Sequence, residues 1–146
     1  MTPLLHLTVP GLPQPQGSSR AFVSKRTGRA IVTSANPRLR QWRDRLALAI
    51  SARRLETRQA RYDGAVRVHA RFYLPRPKSA PKRVTYPTTR PDVDKLVRGC
   101  FDAISDAGVW RDDSQVVEVT ATKCFAQPTE HPGVELLVWA QEGLDG

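Results

Sequence analysis

The chain has 146 residues and carries 23 lysines and arginines against 14 aspartates and glutamates, which gives a formal net charge of +9. This length predicts a single domain over residues 1–146 with a substantial hydrophobic core, and no apolar run approaches the roughly 18 residues needed to span a bilayer. The N-terminus lacks a signal-peptide pattern, neither Cys100 nor Cys124 belongs to a CxxC pair, and the histidines are scattered. We therefore expect a reduced, cytoplasmic protein without a zinc site.

The charge is distributed unevenly along the chain. Residues 1–90 contain 19 lysines and arginines against three acids, whereas residues 91–146 contain four against eleven. A basic portion joined to an acidic one suggests a polyanionic partner held near a carboxylate site. Genomic base composition would also explain an arginine-rich chain, so composition alone leaves both interpretations open.

Two short β elements are predicted near the N-terminus. Residues 4–9 alternate between apolar and polar and indicate a strand, which Pro10-Gly11 ends. After a Pro/Gly/Ser loop, apolar arms at 21–23 and 30–32 predict a hairpin. A basic tip suits phosphates but is also typical of a solvated turn; its bases are Lys25, Arg26 and Arg29.

A helix is predicted next, with Asn36 as its N-cap and Pro37 at its first position. An apolar stripe at helical spacing gives this helix a core face. The stripe consists of Leu39, Trp42, Leu46, Ala49 and Ile50. Because Trp42 lies in the stripe, we assign it to the core rather than to base stacking.

Residues 65–73 alternate as a strand, and a loop from Leu74 to Pro91 follows. Five prolines exclude regular structure from this loop, and loops of such length are usually functional or disordered. Its basic residues favour contact with a nucleic-acid strand over a neutral linker. These bases are Arg76, Lys78, Lys82, Arg83 and Arg90.

The last part of the chain predicts one helix and two strands. An amphipathic pattern covers residues 93–107, with Gly108 as the expected C′ residue of the helix. A turn then leads into a strand over 115–125 that is rich in valine and threonine, and a final strand is predicted over 134–140.

Acidic residues gather around this helix. Asp92 and Asp94 lie two apart at its start, where one aspartate serves as a cap but a second needs another explanation. The helix is roughly 22 Å long, so Asp113 begins the next strand at its far end, and the sequence alone does not bring Asp113 to Asp92. If the carboxylates converge, they suit Mg²⁺ and the activation of water at a phosphate. If they do not, capping and solvation account for them.

Residues 91–123, PDVDKLVRGCFDAISDAGVWRDDSQVVEVTATK, resemble the RusA-like family of endodeoxyribonucleases, whose resolvase members cleave Holliday junctions. Agreement is looser upstream, at residues 13–22 and at Trp42-Arg43. The matching positions are Asp92-Val93-Asp94, Leu96, Asp102-Ala103, Gly108, Trp110, Asp112-Asp113-Ser114-Gln115-Val116 and Lys123.

The resemblance implies that Asp92, Asp94 and Asp113 are catalytic aspartates that bind metal, and that the fold brings Asp113 across to the other two. A functional lysine of the family falls on Arg98 here. Arginine keeps the charge and can bind phosphate through two bonds, but it cannot relay a proton. Lys95 replaces a common asparagine and adds a cation beside the site.

The other three aspartates of the region are given supporting roles. We expect Asp102 to pair with Arg98, four residues before it on the helix. Asp112 is expected to belong to the turn or to support the site, and Asp106 to face water.

The resemblance also implies an α+β fold, a small mixed β-sheet with two main helices packed on it. The expected function is a structure-selective DNA endonuclease that needs Mg²⁺, for which Mn²⁺ substitutes, and that resolves four-way junctions as a homodimer by paired nicks. A nuclease for other branched or phage DNA and a non-catalytic DNA-binding module are the alternatives. The predicted residues are, for catalysis, Asp92, Asp94, Asp113 and Arg98, and for DNA binding, Lys25, Arg26, Arg29, Arg76, Lys78, Lys82, Arg83, Arg90, Lys95 and Lys123.

Overall fold

A computed structural model describes residues 2–17, 20–33 and 37–143. It confirms an α+β fold in which two helices accompany a mixed sheet. The strands are β1 (Leu5–Pro10), β2 (Arg20–Val23), β3 (Ala30–Thr33), β4 (Val66–Leu74), β5 (Val116–Phe125) and β6 (Gly133–Ala140), and the helices are α1 (Leu39–Thr57) and α2 (Val93–Asp106). A short 3₁₀ turn at Asp113–Gln115 precedes β5.

The main sheet has the strand order β1-β6-β4-β5, and β2 and β3 form a separate two-stranded hairpin. All neighbours in the main sheet are antiparallel except β4 and β5, which run parallel with Leu74 opposite Phe125. Parallel strands need a crossover, and here it consists of the proline-rich loop and α2. The C-terminal ends of β4 and β5 and the start of α2 therefore meet at one end of the sheet.

The core lies between the sheet and the two helices. In β4 alternate residues from Val66 to Leu74 are buried, as the sequence pattern predicts. Trp42 on α1 is 4% exposed, which confirms its place in the core. Cys100 and Cys124 are buried and free, and burial raises the pKa of both thiols. Neither helix of the described chain is long and apolar enough to cross a membrane.

The structure tests the predicted start of α1 and the predicted end of α2. The predicted start of α1 is wrong by two positions, because the N-cap is Arg38 and Pro37 precedes the helix. The Arg38 carbonyl accepts the first helical hydrogen bond, from the Trp42 N–H at 3.3 Å. Asn36 lies outside the described residues. At the end of α2 the prediction is confirmed, because Gly108 follows the C-cap with a φ of +74°, which favours glycine.

Candidate functional site

Asp92 and Asp94 lie together at the start of α2. Asp92 is the N-cap, with an extended backbone (φ −72°, ψ 139°), and its carbonyl accepts from the Leu96 N–H at 3.1 Å. Its carboxylate, however, caps no amide of the described chain and is 53% exposed. Asp94 is exposed in the first turn. Both carboxylates thus lie at the positive end of the helix dipole without serving as caps.

Cations surround this pair without neutralising it. Lys95 Nζ is 3.8 Å from Asp92 Oδ2, and both side chains are about half exposed. An ion pair of this kind stabilises a protein by about 0–1 kcal/mol. Arg98 lies four residues after Asp94, on the same side of α2, and is exposed with no ion pair or hydrogen bond within the described chain.

Lys123 reaches the same place from β5. Its ammonium donates to the Thr89 carbonyl at 2.6 Å and to the Pro91 carbonyl at 2.9 Å, immediately before Asp92. The Arg90–Pro91 peptide between these acceptors is cis. Lys123 therefore holds the backbone that positions Asp92 and puts a positive charge behind it, a structural role that the sequence did not reveal. Its contact with DNA stays a prediction.

Asp113 lies beside the middle of α2 rather than at its start. It is exposed in the 3₁₀ turn and shares a small surface cleft with Phe101 of α2. Phe101 follows Asp94 by seven residues, on the order of 10 Å along the helix axis, whereas a metal binds its oxygen ligands at about 2 Å. No three acidic, histidine or cysteine residues of the described chain are grouped so that they could hold a metal ion. The expectation that one chain brings Asp113 to the pair is not met, and the three ligand roles stay predictions.

The acids near the end of α2 are paired with α1. Asp106 accepts two hydrogen bonds from Arg43, from Nε at 2.6 Å and from Nη2 at 2.9 Å, and Asp102 lies 3.8 Å from the same guanidinium. The hydrogen bond from Arg43 lowers the pKa of Asp106. One expectation is therefore wrong, since Asp102 pairs with Arg43 rather than Arg98. Asp106 is exposed to water, as expected, but it also pairs with Arg43. The packing of α1 on α2 overrides the local i,i+4 spacing.

Asp112 belongs to the turn, as expected. It accepts from the Ser114 N–H at 3.3 Å, and hydrogen bonds from Ser114 lower its pKa. Gln115 completes a capping box, since its Oε1 accepts from the Asp112 N–H at 3.0 Å. Its Nε2 also donates to the carbonyls of Tyr62 and Gly64, both at 2.9 Å. The sequence analysis assigned Gln115 no role, although its position in the Asp-Asp-Ser-Gln motif could have indicated one.

The hairpin carries three of the predicted DNA-binding bases at its tip. Lys25, Arg26 and Arg29 are exposed between β2 and β3. Gly28, with a φ of +70°, makes the turn, and its N–H donates to the Ser24 carbonyl at 2.8 Å. The tip thus presents cations to solvent on a defined backbone.

The proline-rich loop has exposed bases at Lys78, Lys82, Arg83 and Arg90. Arg76 differs from them, because its Nη1 donates to the Pro81 carbonyl at 2.8 Å and its guanidinium lies 4.9 Å from the centre of the Phe125 ring. Arg76 therefore stabilises the loop internally, which is a second structural role that composition did not reveal.

Comparison with known proteins gives two matches. The family model described as "Endodeoxyribonuclease RusA" matches residues 12–138, which is most of the chain. The chain is also similar to "Uncharacterized protein YqaN" of Bacillus subtilis (strain 168), with 33% identity over 144 residues that cover 92% of this chain and 94% of YqaN. The second match covers most of both chains but adds no activity.

Proposed function

This chain belongs to the RusA family of endodeoxyribonucleases, and from that premise we propose that it is a Mg²⁺-dependent endonuclease that resolves four-way DNA junctions by paired nicks. The observation that carries the proposal is the exposed pair Asp92 and Asp94. These carboxylates cap nothing in the described chain, and the ion pair they make in it is that of Asp92 with Lys95 at 3.8 Å. In a chain of net charge +9, acids left in this state suit an external cation.

The donor set fits Mg²⁺. This ion prefers oxygen ligands and is usually held by one or two carboxylates together with waters and substrate phosphate. When bound it supplies charge stabilisation at the phosphate and a water that loses its proton more easily, and Mn²⁺ has the same ligand preference. Asp92 and Asp94 would hold it, while Lys95 and Arg98 neutralise the phosphate from the same turns of α2.

The basic surfaces would hold the arms of the junction. Phosphate contacts position a nucleic acid without reading its sequence, and the exposed cations at the hairpin tip and along the proline-rich loop suit this task. Because such binding releases counterions, affinity for the junction should fall steeply with salt. Binding that is insensitive to salt would contradict this part of the proposal.

Paired nicks require two sites, so we infer a homodimer with two-fold symmetry. Within one chain Asp113 shares a surface cleft with Phe101, seven residues after Asp94 on α2, and no three acidic, histidine or cysteine residues of the described chain are grouped to hold a metal ion. In the inferred homodimer the partner subunit's Asp113 would complete each pair. The free edge strand β5, with Val117 62% exposed and Val119 48% exposed, is a suitable surface for this contact.

A substitution at the pair tests the nuclease itself. Asp92→Asn should abolish Mg²⁺-dependent cleavage of a synthetic four-way junction while binding persists, because the amide removes a metal ligand but no phosphate contact. A panel of three-way junctions, flaps and duplex would identify another branched substrate. If the wild type binds junctions but cuts none with Mg²⁺ or Mn²⁺, the protein is a binding module instead.

Mixing two inactive variants tests the shared site. Asp92→Asn and Asp113→Asn should each be inactive alone, but subunit exchange produces mixed dimers with one site that carries both substitutions and one that is intact. Such dimers should nick one strand of the junction. If each chain holds its own three aspartates, both sites of a mixed dimer are damaged, and no activity returns.

A further inference from the structure

An open cleft lies directly beside Asp92. Its volume is about 810 Å³, within the range of roughly 300–1,000 Å³ that is usual for clefts binding small molecules. Its walls come from the N-terminal loop, the ends of β4 and β5, and the loop that leads into α2. The lining includes Leu12, Leu74, Phe125, Arg90, Asp92 and Lys95, together with several prolines.

Most residues that line this cleft are apolar, and backbone hydrogen bonds join the segments that carry them. The apolar residues are Leu12, Leu74, Phe125 and several prolines, whose backbone φ is preset. The Phe125 N–H donates to the Thr85 carbonyl at 3.0 Å, which joins β5 to the proline-rich loop. The Gln16 N–H donates to the Lys95 carbonyl at 3.0 Å, which joins the N-terminal loop to α2.

The rim of the cleft is polar and basic. Lys95 and Asp92 form one side, and Arg90 is exposed there without an ion pair or hydrogen bond in the described chain. Gln14 also lines the cleft, with its amide oriented by a 3.3 Å bond to the Leu12 carbonyl. The site therefore combines mostly apolar walls with a polar rim, and a partner of matching chemistry has flat apolar faces and a polar edge.

We propose that this cleft takes one unstacked nucleobase from the strand being cut and so gives the enzyme a sequence preference next to the scissile phosphate. The proposal rests on the proposed function, because a phosphate at Asp92 and Asp94 puts the neighbouring nucleotide at the mouth of the cleft. Extrusion of a base is least costly where stacking is already interrupted, as at a branch point. Apolar and aromatic side chains stack on bases without regard to their identity, and Arg90 can read two acceptors on the base edge.

Fluorescence of 2-aminopurine tests the extrusion without any cleavage. Junctions that carry 2-aminopurine at single positions around the cut are bound by the protein in EDTA. We expect fluorescence to rise several-fold at one position with the wild type and not to rise with Leu12→Trp, which fills the cleft. Leu55→Trp is the matched control, since Leu55 is 80% exposed on the last turn of α1 and should leave the rise unchanged. Saturated binding with no rise at any position overturns the proposal.

Cleavage rates test the preference. On junctions that differ only at the responsive nucleotide, the fastest and slowest cleavage rates of the wild type should differ roughly tenfold, the discrimination expected of one good base contact. Leu12→Trp should reduce this spread of cleavage rates to below about threefold, and Leu55→Trp should keep it. If Leu12→Trp does not fold, Arg90→Leu, a substitution on the surface, should keep the fluorescence rise and lose the spread.

The two measurements separate this proposal from the nuclease proposal. A fluorescence rise that Leu12→Trp removes, in a protein that never cuts, supports the cleft and contradicts the nuclease. Metal-dependent cutting without a rise, and with the same spread in the wild type and Leu12→Trp, supports the nuclease and overturns the cleft.

Discussion

The two ends of α2 carry the same kind of residue in opposite circumstances. At the C-terminal end Asp106 accepts hydrogen bonds of 2.6 and 2.9 Å from Arg43, and Asp102 lies 3.8 Å from the same arginine. At the N-terminal end Asp92 and Asp94 are exposed, and the contact to Asp92 is a single lysine at 3.8 Å. The difference lies in how far the fold itself neutralises each carboxylate.

This difference distinguishes acids that serve folding from acids that, under the proposed function, bind a metal ion. A chain of net charge +9 has many arginines with which to pair its carboxylates, and at Arg43 it does so. The pair at the start of α2 is exposed beside the open cleft that Asp92 helps to line. Polar groups that converge beside a concave, mostly apolar pocket are candidates for a functional site.

The comparison predicts its largest effect for aspartate-to-asparagine changes at the two ends of the helix. Asp94→Asn should lower single-turnover cleavage of a four-way junction roughly a thousandfold, the scale on which loss of one preorganised charge-stabilising group lowers kcat. Asp106→Asn, the matched change, should stay within about threefold of the wild type, since removal of a surface ion pair has a small effect. Equal losses in both variants would contradict the distinction between the two ends.

Lys123 should have the next largest effect, because it holds the carbonyls of Thr89 and Pro91 immediately before Asp92. Lys123→Met should lower the cleavage rate about 10- to 100-fold, as loss of groups that orient metal ligands does, with a smaller change in the dissociation constant for the junction. Lys82→Met is the control: it removes an exposed loop cation and should weaken binding without slowing bound-state cleavage. Restored cleavage in Lys123→Arg would support the positioning role, and weakened binding at an unchanged rate would exclude it.

Much of the fold could be predicted from local patterns. The alternation of residues 65–73, the apolar stripe that contains Trp42 and the glycine after α2 each depend on neighbouring residues, and the structure bears out all three. The start of α1 was misplaced, because an Asn-Pro pair is a frequent but not an obligatory helix start. Here a turn at Pro37 and Arg38 comes first.

The site could be predicted only in part, because its geometry depends on contacts between distant residues. Asp92 and Asp94 were identifiable as an unusual pair from their spacing alone. Arg43 lies 63 residues from Asp106, and Lys123 lies 32 residues from Pro91, so no local rule could assign either contact. The cleft beside Asp92 is likewise assembled from four separate segments, which composition does not bring together.

Arg98 offers a smaller test at the exposed end of the helix. It is exposed four residues after Asp94 and has no partner within the described chain, so its charge is available to a phosphate. Arg98→Ala should lower cleavage roughly tenfold, about the effect of one lost hydrogen bond to a charged group. Arg98→Lys should keep most of the activity if only charge is needed, whereas a loss as large as that of alanine would indicate that two-bond phosphate contact is required. Unchanged cleavage in Arg98→Ala would exclude it from the site.

The smallest expected effect is on stability and depends on pH. Arg43 lowers the pKa of Asp106 below its unfolded value of about 3.9, so the pair stabilises the folded protein above that value and the stabilisation is lost as the pH falls through the lower, folded pKa. Asp106→Asn should therefore reduce the free energy of unfolding by about 0.5–1 kcal/mol at pH 7, since both side chains are more than a third exposed. In urea denaturation the difference in unfolding free energy from the wild type should shrink below about pH 4.

Asp92→Asn is the matched control for stability. It should leave the free energy of unfolding nearly unchanged at pH 7, because the fold gives that carboxylate only one distant partner. A loss as large as that of Asp106→Asn would mean that both ends of α2 carry structural acids.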